Sequence, residues 1–239
     1  MKPLILAILD GWGYTRKRGG NPIQSATKPA FDVIDKQYPM VLLQASGLAV
    51  GLPWGEFGNS EVGHFTIGAG RIVQQYSTRI GNAIKDGSFA TNPTILEVFS
   101  HPRVHLVGLL TSGSVHASLE HLLALISIAQ KNNNELLIHL FSDGKDSGLQ
   151  EASTLLKKLP IPPTTLIGRD FGMDRDQNWE LTQQAVDLIA RGAGEHTADF
   201  AASLEQQYVA GVRDSRISAL VADSYDGIYQ GDTVFFFNF

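Results

Sequence analysis

Cysteine is absent from the 239 residues. That absence removes disulfides, thiolate metal sites and a cysteine nucleophile, and it fits a reducing compartment. Dense positive charge is missing too. The net charge is −5 and the longest basic run is Arg16-Lys17-Arg18, too short for a nucleic-acid surface. Long apolar runs are equally scarce. Met1-Lys2 followed by apolar Pro3 to Leu9 opens like a signal peptide, but the run stops at Asp10-Gly11-Trp12-Gly13 without a small-x-small cleavage site. No run approaches the ~20 apolar residues of a membrane span. The chain is therefore expected to be cytoplasmic, with neither membrane nor nucleic acid among its partners. What remains, 43% apolar and 18% charged residues, suits a globular protein with one large or two small domains.

Glycine is plentiful where chemistry is concentrated. Gly58-Asn59-Ser60-Glu61-Val62-Gly63-His64 sets a serine between glycines, with an acid and a histidine close behind. Glycines allow a tight turn and leave the hydroxyl accessible. Asn59 and Ser60 are good N-cap residues, so a helix is expected to start here with its free N–H groups facing whatever Ser60 attacks. A serine hydroxyl is a poor nucleophile unless a base or a metal activates it. The same residues also suit a plain helix-capping turn.

Along the chain, Leu4 to Leu9 reads as a strand buried on both faces, with Asp10 at its carboxyl end, where open α/β sheets place ligands. Asp10 is either a turn former or a carboxylate ligand for a hard metal ion. Lys28 to Tyr38 has helical spacing and Met40 to Leu43 reads as a second strand. The glycine-rich tract Ala45 to Arg71 is too long for an idle loop. From about Gln74, short helices at Ile80 to Ile84 and Pro93 to Phe99 lead into a regular alternation. Val104 to Leu110, Leu136 to Phe141 and Thr164 to Ile167 are strand-like. Helices are expected over Ser118 to Gln130, Leu149 to Leu159 and Trp179 to Ala190, the last stopped by Gly192. Three βα units predict a parallel sheet. A further helix follows Ala198, and Thr233 to Phe239 reads as an apolar strand in which the chain stops, as a truncated protein would.

The polar clusters fall at one place on this pattern. Ser112 to His116 follows the first strand of the alternation, Ser142 to Asp146 the second, and Arg169 to Arg175 the third. All three loops belong at the carboxyl edge of one sheet. Together they offer His116, Lys145, Asp146, Arg169 and Arg175, a set suited to a phosphorylated carboxylate, since arginine binds both groups in bidentate fashion. Surface pairing of Arg169 and Arg175 with Asp170, Asp174 and Asp176, and an Asx turn at Asp143, are the plainer readings.

In their order these motifs resemble the cofactor-independent (2,3-bisphosphoglycerate-independent) phosphoglycerate mutases, related to alkaline phosphatases. The resemblance rests on Asp10-Gly11-Trp12-Gly13, Ala49 to Pro53, Gly58 to His64, Ile67 to Arg71, Gly108 to Leu110, Val115-His116, Asp143-Gly144-x-Asp146, Gly168-Arg169, Met173 to Asp176 and Phe236 to Phe239. It implies an α/β protein in which an alkaline phosphatase-like domain, here incomplete, is interrupted by a transferase domain with a largely parallel sheet. Residues 1–75 would be the N-terminal part of the metal-binding domain and 76–239 the transferase domain, cut at its C-terminal end. The implied reaction interconverts 3- and 2-phosphoglycerate in glycolysis and gluconeogenesis through a phosphoserine on Ser60. Asp10 and Ser60 would be ligands of two manganese ions. Asp146 would shuttle the glycerate hydroxyl proton, beside His116, Lys145, Arg169 and Arg175 as substrate-binding residues. A full-length monomer is also implied.

The departures matter. Lys145 stands where the family usually has arginine, and His116-Ala117-Ser118 lacks a second histidine. The family's remaining Asp and His metal ligands and further substrate arginines follow the position of Phe239. Two oxygen ligands cannot complete a dinuclear site, so the isolated chain is expected to be inactive. The alternatives are a metal-dependent phosphatase or other phosphotransferase of the superfamily, and a non-catalytic phosphoglycerate-binding module.

Overall fold

The structure, a computed structural model, describes residues 3–15, 17 and 19–239. Met1, Lys2, Arg16 and Arg18, and with them the charged start and the ends of the basic run, lie outside the described residues. The chain divides into two compact units, Met1–Gln74 and Gln75–Phe239. No helix among the described residues is long and apolar enough to cross a membrane.

The first unit is helical where it is regular. Helix α1 spans Pro22–Ser25, α2 Pro29–Gln37 and α3 Ser60–Ala69, and a 3-10 turn covers Gly47–Val50. Proline at the first position of α2, Asp32 in its first turn and Lys36 in its last suit the helix dipole. Trp12 stacks on Phe31 at 4.5 Å between ring centroids and fastens the segment after Leu9 to α2. The buried apolar cluster here is Val50, Leu52 and Val62. Two expectations fail. Neither Leu4 to Leu9 nor Met40 to Leu43 is a strand, and no strand occurs among the described residues of this unit. A strand buried on both faces needs hydrogen-bonded neighbours and covering layers. Without them, Leu4, Ile5 and Leu6 stand 95%, 85% and 71% exposed.

The second unit is a six-stranded sheet flanked by helices. Helices α4 (Tyr76–Asp86) and α5 (Pro93–Val98) precede β1 (Arg103–Leu110). Then follow α6 (Leu119–Asn132), β2 (Glu135–Ser142), α7 (Ala152–Leu156), β3 (Thr165–Gly168), α8 (Arg169–Gly172) and α9 (Trp179–Arg191). The chain goes on through β4 (Glu195–Thr197), α10 (Phe200–Val209), β5 (Leu220–Ala222) and β6 (Thr233–Phe236). Strand order is β4-β5-β3-β2-β1-β6. The pairs β1–β2, β1–β6, β2–β3 and β4–β5 are parallel, and β3–β5 alone is antiparallel. The largely parallel α/β sheet expected from the sequence is therefore present, with one reversed pairing.

Sequence pattern accounts for the centre. β1 is a nearly continuous apolar run, and Val104, Leu106 and Val107 are wholly buried in the core. α6 buries Leu122, Leu125, Ile126 and Ala129 and ends at Asn133 in the left-handed conformation. α9 buries Ala185 and Leu188 and ends at Gly192. The helix expected over Leu149 to Leu159 shortens to α7, and β4 and β5, three residues each, carried no pattern long enough to read. The C-terminal strand is smaller than expected but firmly held. Asn238 Oδ1 accepts from the Leu109 amide at 2.9 Å, and the Phe239 amide donates to the His116 carbonyl at 2.8 Å. The ring of Phe237 lies over Gly108 so closely that a Cβ there would sit 2.5 Å from it.

A buried polar line crosses the sheet beneath this core. Asp232 Oδ2 is 2.9 Å from His105 Nε2, His105 Nδ1 is 2.9 Å from His139 Nε2, and His139 Nδ1 is 2.9 Å from Thr165 Oγ1. An ionised Asp232 only accepts, so His105 donates through Nε2 and accepts at Nδ1 from His139 Nε2–H, while Thr165 donates to His139 Nδ1. Both rings are then neutral. Burial first, then repulsion from a protonated His105 and from Arg103, push His139 down to about 3. Burial also lowers His105, partly offset by Asp232.

Candidate functional site

In the first unit the serine loop is built by close packing. A Cβ at Gly58 would lie 1.8 Å from the Ala45 carbonyl oxygen, so only glycine fits. The next residue, Asn59, caps α3 by accepting from the Val62 amide at 3.0 Å, which makes Ser60 the first helical residue. Asp10 is not at a strand end. It sits in a turn closed by the Trp12 amide donating to the Leu9 carbonyl at 3.0 Å. From there its Oδ2 accepts a hydrogen bond from Ser60 Oγ.

His64 is not the base for that hydroxyl. Its Nδ1 lies 2.7 Å from the Ser60 carbonyl oxygen and 3.4 Å from Ser60 Oγ. A carbonyl only accepts, so Nδ1 carries the proton and donates to it. The residue one turn along the helix therefore holds the backbone, and Asp10 is the acceptor that Ser60 meets. Among the described residues, no group of three or more His, Asp or Glu side chains is gathered to hold a metal ion.

In the second unit the loops after β1, β2 and β3 meet at the carboxyl edge. Their anchor is Asp143, which is fully buried. Thr111 Oγ1 donates to it at 2.5 Å, Arg169 Nη1 at 2.5 Å, and the Lys145 and Asp146 amides each at 3.2 Å. Burial alone would raise its pKa, but these donors outweigh burial and hold it below the ordinary aspartate value. Arg169 Nη1 also reaches Asp146 Oδ2 at 2.7 Å. Burial works against the charge on Arg169, and the carboxylates of Asp146 and Asp143 overcome it and raise its pKa. His116 Nε2 is 3.8 Å from Asp146 Oδ2, within ionic reach and beyond hydrogen bonding.

His116, Lys145, Asp146, Arg169 and Arg175 line one cavity of about 540 Å³, together with Asp170 and Arg216. Surface pairing of Arg169 with Asp170, Asp174 or Asp176 does not occur; its partners are Asp143 and Asp146. Asp174 is instead taken by Asn178, whose amide donates at 2.7 Å. Asp143 does form the Asx turn, and does so while gripping Arg169. Three members of the cluster carried no signal of their own in the sequence. Thr111 looked like a strand end, Asp170 like the neighbour of a more telling arginine, and Arg216 lay in a polar stretch without periodicity. Arg216 is brought in by Asp214, which accepts from the Glu151 and Ala152 amides at 2.7 and 2.8 Å and whose carbonyl accepts from Ser142 Oγ at 2.7 Å.

Comparison with known proteins gives the family. A family model described as "BPG-independent PGAM N-terminus" matches residues 80–239. The 2,3-bisphosphoglycerate-independent phosphoglycerate mutase of Yersinia pseudotuberculosis is 40% identical, over 100% of this chain and 50% of its own length. That of Clostridioides difficile is 39% identical, again over 100% of this chain and 50% of its own length. Among solved structures, Leishmania mexicana phosphoglycerate mutase, crystallised at low cobalt concentration, superposes with a TM-score of 0.80 at 25% identity, over 97% of this chain and 47% of that one. The chain thus spans about half the length of the curated relatives it matches. With the family model covering the whole sheet and its cleft, the chain belongs to the 2,3-bisphosphoglycerate-independent phosphoglycerate mutase family, in the region of the family's N-terminal half.

Proposed function

We propose that this chain supplies the phosphoryl-carrying serine and the glycerate-holding cleft of an enzyme that interconverts 3- and 2-phosphoglycerate. The observation that carries the reading is the cleft, where Asp146 stands beside His116, Lys145, Arg169 and Arg175, with Asp170, Asp174, Asp176 and Arg216 also in the lining. Such a set suits a ligand with a phosphate, a carboxylate and a hydroxyl. Residues 1–75 act as part of a phosphatase-like, metal-binding domain and 76–239 as the transferase domain, a division supported by the two compact units. The setting is cytoplasmic and the full-length enzyme a monomer.

In this mechanism Ser60 passes its hydroxyl proton to Asp10, which already accepts from it, as Oγ forms a bond to phosphorus. The bond from phosphorus to one glycerate oxygen breaks, and that oxygen takes a proton from Asp146, which enters the step protonated. The glycerate turns in the cleft, and its other hydroxyl returns a proton to Asp146 as it attacks the phosphoserine and releases Ser60. Asp10 gives its proton back as Ser60 is released. Arg169, gripped through Nη1, keeps Nε and Nη2 for the ligand, and its grip holds Asp146 in place. Asp10 and Ser60 fit a hard divalent cation such as manganese in kind, being oxygen donors, but not in number. When bound, such an ion lowers the serine pKa and offsets phosphoryl charge.

The 239-residue chain alone should therefore bind 3-phosphoglycerate and fail to turn it over. Titration calorimetry with EDTA present should show binding that Arg169→Ala abolishes, and a coupled assay with excess manganese should show no product. Turnover that depends on Ser60 would overturn the need for further ligands, and absence of binding would overturn the phosphoglycerate reading. In a form extended to the relatives' length, activity should appear, vanish on Ser60→Ala and survive Lys145→Arg. A binding module without turnover is the second reading, favoured by the cleft's being made wholly of second-unit residues.

A further inference from the structure

The cleft contains two ion clusters of opposite balance. In one, a single guanidinium, Arg169, sits between the carboxylates of Asp143 and Asp146. In the other, a single carboxylate sits between two cations. Asp170 Oδ1 is 2.5 Å from Lys145 Nζ, and its Oδ2 is 3.2 Å from Arg216 Nε. Ser215 Oγ donates to the same Oδ2 at 3.3 Å. The first cluster is left with one negative charge and the second with one positive charge. Arg216 spends only Nε on Asp170, so the Nη1–Nη2 edge has no partner among the described residues, and the side chain is 78% exposed.

We infer that Arg216, positioned by Asp170, is a specificity-determining residue of the cleft, taking with Lys145 an anionic end of the ligand while Asp146 faces the hydroxyl. The inference rests on the phosphoglycerate reading and deepens it. Two cations lining one wall repel each other unless a carboxylate lies between them, and Asp170 supplies it while leaving a net positive face. The Arg216 fork fits a carboxylate or phosphate with two parallel hydrogen bonds, and Lys145 adds a point charge. The other cluster carries the opposite balance, so an anion there must be met by the remaining N–H groups of Arg169. A phosphorylated hydroxy acid, anionic at both ends with its hydroxyl between them, is therefore favoured with one anionic group on the Lys145–Arg216 wall and the hydroxyl toward Asp146.

A neighbouring cavity provides the control. It shares Lys145, Asp170 and Arg216 with the cleft but is also lined by Arg213, which the cleft lacks. Titration calorimetry on the 239-residue chain would measure 3-phosphoglycerate and inorganic phosphate separately. Arg216→Ala should weaken 3-phosphoglycerate roughly tenfold, as expected for a lost charge-assisted pair, and Arg216→Lys should recover part of the loss. Arg213→Ala removes the same charge and should stay within about twofold. Asp170→Asn should narrow the preference for 3-phosphoglycerate over inorganic phosphate, because the wall becomes more positive and less ordered. If Arg169→Ala abolishes binding while Arg216→Ala leaves it unchanged, the inference falls and the phosphoglycerate reading stands. Equal losses from Arg213→Ala and Arg216→Ala would reduce the effect to overall charge and also sink the inference. No binding by the unaltered chain would sink both.

Discussion

Leu4-Ile5-Leu6 and Leu106-Val107 are made of the same kinds of side chain, yet the first three are largely exposed and the last two have no exposed surface. Apolar content is not what separates them. Leu106 and Val107 lie on a strand with β2 on one side and β6 on the other, and they share one core with the buried stripe of α6. Among the described residues the first unit offers Leu4 to Leu6 no strand to pair with, and its buried apolar cluster is Val50, Leu52 and Val62. An apolar run becomes a strand when its backbone groups find partners, because an unpaired N–H or C=O costs more to bury than the side chains return.

Truncation tests this contrast most strongly. Leu106→Ala should cost about 2–5 kcal/mol, the range for a large side chain removed from a packed core. Ile5→Ala should stay within about 0.5 kcal/mol. Urea unfolding followed by circular dichroism measures both. Equal losses would mean that Ile5 is as well packed as Leu106, and the contrast would be gone.

The buried polar line offers the next test. His139 titrates near 3 in the folded protein and near 6.5 when unfolded. Below about pH 6.5 the unfolded chain takes up a proton that the folded one refuses, so stability is full above that pH and falls as pH drops toward 3. Between pH 7 and pH 5 the loss should reach roughly 2 kcal/mol at most for this one ring. Burial opposes ionisation of Asp232, but the Tyr229 amide, His105 and Arg103 outweigh it and lower its pKa, so its contribution is lost in the same direction at lower pH. Unfolding midpoints at pH 7 and pH 5 should differ in the native protein and differ less in His139→Gln. A slope unchanged by that substitution would remove His139 as the cause.

How much of this was legible depended on the length of each signal. β1, β2, α6 and α9 are long enough for their period to speak, and the loops after the strands could be assigned to one sheet edge from order alone. β4 and β5 are three residues each, and β5 pairs antiparallel through a neighbour far away in sequence. Nothing local records such a pairing. In the cleft, His116, Asp146 and Arg169 announced themselves through neighbouring glycines and acids. Arg216 did not, because its place depends on Asp214 reaching back to β2 and α7. At Ser60 the sequence called for a base or a metal without saying which, and only the distance to a carbonyl identifies the histidine one turn along as a donor to the backbone.

Glycine packing gives a smaller effect. Gly108→Ala would press a methyl group into the ring of Phe237 and should cost about 1–3 kcal/mol, the range for overpacking. Phe237→Leu in the same chain should return part of that loss, since it removes the clashing atoms. No recovery in the double variant would mean that the glycine is there for another reason.

The smallest effect sharpens the comparison most finely, because it places one chemistry in both units. Asn59 caps α3 by accepting from one amide, and Asp199 caps α10 by accepting from the Ala201 and Ala202 amides at 3.0 and 3.1 Å. Replacing either by alanine should cost about 1 kcal/mol. The helices differ in what they bury: Val62 alone in α3, and Phe200 and Leu204 in α10. Loss of the Asp199 cap should therefore be felt by the whole sheet unit and shift its urea midpoint. Loss of the Asn59 cap should open α3 locally, raising amide hydrogen exchange there about fivefold while the sheet unit's midpoint stays put. Exchange has to be read residue by residue, since a bulk signal from so short a helix is lost under the larger unit. If Asn59→Ala moves the sheet unit's midpoint as far as Asp199→Ala does, the two units unfold as one, and the contrast between them belongs to sequence and packing but not to stability.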